Sequence, residues 1–186
     1  MDGARLERQG DAVRFWQYDA LCEELDIFCK RFADQHDDTD RSLVFTPELF
    51  ETIRSINTGV NRKITPKTDL ELYSVIEKWT IPDDAGDCED YALLKMLRLI
   101  YVGFDPRRLH LLVVRDEKRE GHAVLGVDVH DKGFWNTLVL DNKHDVVITL
   151  EEMEKKYEGT LASFVMQLND GSRRTKFFKY AVKKGT

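Results

Sequence analysis

The periodicity of the chain changes between Gly103 and Pro106. Before this point, Ala92, Leu93, Met96, Leu97 and Ile100 recur at helical spacing, and the glycine and proline end that helix. After it, residues 109–114 form an apolar run, 116–121 a charged hairpin loop, and 122–129 alternate. Asp131-Lys132-Gly133 then turns the chain into residues 134–140. Helices followed by a meander specify an α+β fold, with N-terminal helices packed on an antiparallel β-sheet.

The flanking segments extend this reading. Val13, Trp16, Leu21, Leu25, Phe28, Cys29 and Phe32 trace the apolar stripe of an amphipathic helix over 12–35. The polar run 36–40 is a solvated loop without the glycine and distal glutamate of an EF-hand. Thr46-Pro47-Glu48 opens a second helix running to about residue 61. Residues 62–72 are a connector, and 81–86 a turn-rich lead-in to the helix that starts at about Asp87. Thr149-Leu150-Glu151-Glu152 has the spacing of a capping box and opens a short helix to Tyr157. Residues 164–168 and 177–182 are expected to close the sheet around an Asp170-Gly171 turn.

The 186 residues are enough for one domain, here taken as 1–186. No apolar run approaches the roughly 20 residues that span a bilayer. The first 16 residues hold no apolar h-region, so the chain is either cytosolic as written or the mature form of a longer precursor. Net charge is -6, with six basic and no acidic groups in 171–186. That tail interleaves Phe177, Phe178 and Tyr180, which favours an ordered strand over a nucleic-acid arm. Cys22 and Cys29 lie seven apart on a helix, about 10 Å between Cα atoms, too far to bridge.

Glycine-rich phosphate loops and zinc spacings are absent from the sequence. The chemistry-bearing residues that remain are Cys88 at a helix start, His122 at a strand entry and Asp141 at the exit of the next strand. Antiparallel pairing sets the start of one strand beside the end of the next, so His122 and Asp141 are neighbours by topology. A thiol nucleophile needs a base, and the base needs a carboxylate to orient it. His36 and His144 sit in loops, while His110 and His130 have no such carboxylate partner. Asp87 is a plausible N-cap, and the dipole there lowers a thiol pKa. Glu89 and Asp90 push it back up unless a cation or histidine neutralises them. The plainer alternatives are a buried cap for Cys88, an exposed hairpin residue for His122 and a turn at Asp141-Asn142.

Gly86-Asp87-Cys88-Glu89-Asp90-Tyr91, Gly121-His122-Ala123-Val124 and Leu140-Asp141-Asn142 resemble the bacterial transglutaminase-like cysteine proteinases. The similarity runs from about residue 28 to 168, with the basic extension 171–186 beyond it. It implies a papain-like, transglutaminase-like core with Cys88 as nucleophile, His122 as base and Asp141 as orienter. It also implies Ca²⁺ near the nucleophile, with Asp87 and Glu89 at the matching acidic positions. Hard oxygen ligands suit Ca²⁺, and a cation there would offset the carboxylates. A periplasmic address, a protein or peptide substrate and a regulatory protein partner follow from the same resemblance. Backbone N–H of Cys88 is the first oxyanion donor, with Trp79, Tyr73 or Asn61 as candidate helpers. The alternatives are acyl transfer to an amine, as in a transglutaminase or amidase, and a non-catalytic calcium-dependent peptide-binding module.

Overall fold

The computed structural model describes residues 44–165. The expected helix over 12–35, the loop at 36–40, Cys22 and Cys29, the strand at 177–182 and the basic tail all lie outside them.

Helix α1 (Pro47–Lys63) starts where Thr46 Oγ1 accepts the Leu49 N–H at 3.1 Å and proline occupies the first turn. A two-residue strand, β1 (Thr65–Pro66), pairs in parallel with β2 (Ala85–Gly86). Between them lies a five-residue helix, α2 (Asp69–Tyr73), closed by a capping box between Thr68 and Glu71. The connector read over 62–72 therefore contains regular structure, and the Thr-x-x-Glu spacing that marks it is the same signal that marks Thr149–Glu152. Helix α3 (Cys88–Tyr101) follows at once, with Asp87 at its N-cap position. It ends at Val102 and Gly103, where φ is +101°, a conformation glycine adopts without steric cost.

A 3₁₀ turn (Pro106–Arg108) leads into the sheet: β3 (Leu109–Arg115), β4 (Gly121–Asp131), β5 (Phe134–Leu140), β6 (Ile148–Thr149) and, after helix α4 (Leu150–Lys156), β7 (Glu158–Val165). The spatial order is β6-β5-β4-β3-β7, antiparallel throughout. The final strand begins six residues before the expected 164. It pairs with β3 through register shifts near Val114, which break the alternation that reveals a strand in sequence.

Both faces of the sheet are covered, which explains why 109–114 reads as a continuous apolar run rather than an alternating one. Leu109, Leu111 and Val113 meet Leu93, Met96 and Leu99 of α3 with Leu125, Val127 and Leu140 of the sheet. Leu112 and Val114 meet Met153 and Tyr157 at α4. Burying each such side chain contributes about 1.5–3 kcal/mol, enough to fix α3 across the middle strands. The N-terminus of α3 is thereby held against the start of β4.

Candidate active site

Cys88 occupies the first turn of α3, half-buried, with its sulfur 3.2 Å from Glu89 Oε2. The backbone N–H of Ala123, next to His122 on β4, also acts on the sulfur. The lead-in is fixed twice over: Thr65 N–H donates to Asp84 O at 2.8 Å and Lys67 N–H to Gly86 O at 3.0 Å. Asp90 Oδ1 accepts the Thr80 N–H at 2.9 Å and its hydroxyl at 3.2 Å.

His122 and Asp141 are brought together. His122 Nε2 lies 2.9 Å from Asp141 Oδ1, and both residues are buried. The same Oδ1 accepts the Lys143 N–H at 2.9 Å, and Oδ2 accepts the Tyr157 hydroxyl at 2.5 Å. Burial raises the Asp141 carboxyl, but the His122 hydrogen bond and charge, with Tyr157 and Lys143, outweigh it and hold it well below the usual carboxylate range. Tyr157 also sets its ring edge-on to His122, centroids 5.8 Å apart at 87°. Sequence reasoning missed Tyr157, which it treated only as a helix end.

The loop after β5 is anchored from three sides. Asn61 Nδ2 donates to Asp141 O at 3.0 Å, and Asn57 Nδ2 to His144 O and Asp145 O at 3.1 Å each. Lys143 Nζ meets Asp116 Oδ2 at 2.6 Å, and that contact holds the Asp116 carboxyl down at about 2.

Asn61 Nδ2, a candidate oxyanion donor, is thus engaged by this loop. Trp79 is buried and gives its indole N–H to Glu77 Oε1 at 2.8 Å, while Tyr73 lies under Lys78, 3.7 Å from Nζ to the ring centroid. His110 does have a carboxylate partner, contrary to expectation. Asp128 sits 2.5 Å away on β4, one diagonal from the Gly126 that His110 faces. That Asp128 also takes the Thr137 hydroxyl at 2.7 Å. His130 packs against Trp135 instead.

The acidic residues around the thiol converge. Asp69, Asp87 and Glu89 place carboxylate oxygens all within 4.8 Å of one another, a set able to hold a metal ion. Asp69 comes from α2 and was not foreseen as a ligand. Asp83 and Asp84 are exposed and Asp90 is bound to Thr80, so none of these joins the cluster. Asp87 makes no side-chain cap; its Oδ2 accepts the Asp69 N–H at 3.2 Å. Asp69 Oδ2 accepts the Lys78 N–H, which leaves Oδ1 of Asp69 and Oδ1 of Asp87 buried without partners among the described residues. Burial first, then the neighbouring acids, pushes Asp69 up to about 6 and Glu89 up to about 9, and raises Asp87. Burial and Glu89 likewise raise the Cys88 thiol well above its ordinary value, opposite to the lowering expected from the dipole alone. Orphaned buried oxygens and mutually raised acids are what an oxygen-only cation site shows.

A thiol at a helix start and a histidine–carboxylate pair on an antiparallel sheet are the parts a cysteine-protease site draws on. The sequence profile of the bacterial transglutaminase-like cysteine proteinases matches residues 10–163, and the chain belongs to that family: it is a cysteine protease. Among solved structures, calcium-bound LapG of Legionella pneumophila is similar at 20% identity, covering 75% of this chain and 83% of its own, with a TM-score of 0.53. A second LapG structure from the same organism matches at 20% identity and a TM-score of 0.53, covering 77% and 84%. The EGTA-treated form matches at 19% identity and a TM-score of 0.50, covering 75% and 80%. At such identity these likenesses speak for a shared α+β fold. No curated protein matches the chain.

Proposed function

We propose that this protease cleaves peptide bonds with Cys88 as nucleophile, His122 as general base and acid, and Asp141 as the group that orients the imidazole. The observation that carries the reading is the buried His122 Nε2–Asp141 Oδ1 contact at 2.9 Å, one residue from the Ala123 N–H that acts on the thiol. With Nε2 engaged by Asp141, Nδ1 is the ring nitrogen left to exchange a proton with sulfur. Cys88 passes its proton to Nδ1 and sulfur adds to the substrate carbonyl carbon. The resulting oxyanion is met by the backbone N–H of Cys88 at the positive end of α3. His122 then protonates the departing amine as the C–N bond breaks. Water, deprotonated by the same imidazole, displaces sulfur from the thioester and restores the thiol.

Asp69, Asp87 and Glu89 are the residues that would hold Ca²⁺. Bound there, the ion would supply positive charge that favours the thiolate over the thiol.

The test is covalent labelling of intact protein with a peptide aldehyde, with calcium present and after chelation. Wild-type protein forms the adduct with calcium and Cys88→Ala does not; equal labelling of the variant refutes the assignment. Product masses with and without an added amine report whether water is the acceptor.

A further inference from the structure

His122 and Asp141 each border a loop: the turn between β3 and β4 runs into Gly121 and His122, and the chain leaves β5 at Asp141. The mechanism uses the two side chains and leaves unused the contact that joins the two loops. Lys143 Nζ meets Asp116 Oδ2 at 2.6 Å, although the residues stand 27 apart in sequence.

On one side of this contact Asp116 is nearly sealed, its side chain 5% exposed. Oδ1 accepts the Lys118 and Glu120 N–H groups at 2.9 Å each. The Asp116 N–H donates to Glu120 O at 3.0 Å, and the Arg119 N–H to Asp116 O at 2.8 Å. Arg119 takes φ +64°, a conformation that a non-glycine residue keeps where its surroundings hold it. One carboxylate therefore shapes the turn with Oδ1 and reaches out of it with Oδ2.

On the other side, Lys143 is engaged at both ends. Its main-chain N–H donates at 2.9 Å to Asp141 Oδ1, the oxygen that faces His122 Nε2, and its ammonium reaches Asp116. The contacts close a ring: from Asp116 along the turn to His122, across to Asp141, on to Lys143 and back to Asp116. A lysine 41% exposed gains little stability from such a pair. What the pair does fix is where the Lys143 N–H points.

We propose that Lys143 is a positioning residue for the candidate triad: its main chain holds the Asp141 carboxylate while its ammonium ties that strand exit to the turn leading into His122. This rests on the triad reading above. With the ring closed, imidazole and carboxylate are held in register from both sides. With the ring opened at the ammonium, Asp141 keeps Tyr157 and His122, but the Lys143 N–H is no longer fixed against Oδ1. A misplacement of about 1 Å, caused far from the reacting atoms, can slow a reaction on the order of a hundredfold, so a loss of about tenfold is the scale expected here.

The test is alkylation of the full chain by a peptide chloromethyl ketone with calcium supplied, followed by intact mass. Lys143→Met removes the ammonium and leaves the main-chain donor. Its limiting rate should fall about tenfold with an unchanged half-saturating concentration. Asp116→Asn should lose as much, and the double variant no more than either, since both open the same ring. A wild-type rate in folded Lys143→Met, or losses that multiply in the double variant, overturns the proposal. Should Asp116→Asn fail to fold, Lys143→Arg takes its place. Restored charge should bring the rate back near wild type, and a rate as low as that of Lys143→Met overturns the tether. The His122 ring N–H proton, assigned by its loss in His122→Gln, reads positioning without any chemistry. It should exchange faster with water in Lys143→Met; unchanged exchange overturns the proposal. Labelling that survives His122→Gln at the wild-type rate, alongside that faster exchange, would sink the triad mechanism and leave the tether standing.

Discussion

Tyr157 donates its hydroxyl to Oδ2 of Asp141 at 2.5 Å, while Oδ1 of the same carboxylate faces His122 Nε2 at 2.9 Å. The two residues are sixteen apart, joined by the Asn57/Asn61-anchored loop, β6 and α4. A carboxylate gripped on both oxygens cannot rotate without losing a charge-assisted hydrogen bond. The imidazole that it holds is restrained in turn, since Tyr157 also packs edge-on against the ring. The carboxylate proposed to orient His122 is thus itself held by Tyr157.

Tyr157→Phe keeps the ring and removes only the hydroxyl. A hydrogen bond to a buried charged group contributes about 1.5–3 kcal/mol, so urea unfolding should show a loss within that range. Peptide turnover should fall about tenfold in kcat with KM unchanged, because in the proposed mechanism Asp141 orients His122 and does not touch substrate. Unaltered kcat in a variant destabilised as expected would confine Tyr157 to packing.

Cys88, His122 and Asp141 are legible in the sequence because each sits at an end of an element whose periodicity is strong. Helix start, strand entry and strand exit are also the places that antiparallel topology brings to one edge. Asp69 is not legible in the same way. It lies eighteen residues before Asp87 and reaches it only because the Thr68–Glu71 capping box and the β1–β2 pair fold the connector back. Lys95 falls off the apolar stripe of its helix, yet its side chain is fully buried in the fold. The His110–Asp128 pair escapes notice for a related reason, since a diagonal cross-strand contact depends on register and not on spacing.

Gly86→Ala tests how tightly the helix that carries Cys88 is seated. A Cβ at position 86 would lie 2.5 Å from Asp90 Oδ2 and 2.7 Å from Asp90 Cβ. Asp90 cannot retreat without releasing Thr80, and Gly86 O is held by the Lys67 N–H. Overpacking of this kind costs about 1–3 kcal/mol. The variant should lose that much stability in urea and label more slowly at Cys88; wild-type values in both measurements would show that the helix start is slack.

Asp69→Asn tests the third member of the acidic cluster. A ligand that binds only the folded state at a hundred times its Kd stabilises by about 2.7 kcal/mol, worth several degrees in a domain of this size. Wild-type protein should gain that much in Tm on saturation with Ca²⁺. Asp69→Asn should need a much higher calcium concentration for the same rise, while its metal-free Tm should match or exceed that of wild type because a repelling carboxylate is gone. A calcium response identical to wild type would remove Asp69 from the site.

The same cluster, with Asp90 beside it, makes the metal-free protein unusual in its response to pH. Burial first, then neighbouring acids, raises the folded pKa of Asp69 to about 6, of Asp90 to about 7 and of Glu89 to about 9. In the unfolded chain all three return to about 4. The folded protein therefore holds protons that the unfolded chain releases, and their stabilisation is complete below about pH 4 and lost as pH climbs through each folded value. Asp141 works in the opposite sense: its depressed carboxyl adds stability above about pH 4 that vanishes on acidification. Lys95, lowered to about 7, adds stability as pH rises beyond that point and so opposes Glu89 in alkaline solution. The three raised acids run unopposed between about pH 5 and 7. Chelated protein should accordingly melt at a higher temperature at pH 5 than at pH 7. Saturating Ca²⁺ should flatten or reverse that slope, since the ion binds the deprotonated cluster. Differential scanning calorimetry at the two pH values, with calcium and with a chelator, reads both effects. A chelated Tm that rises from pH 5 to 7 would mean that these carboxylates are already neutralised within the fold.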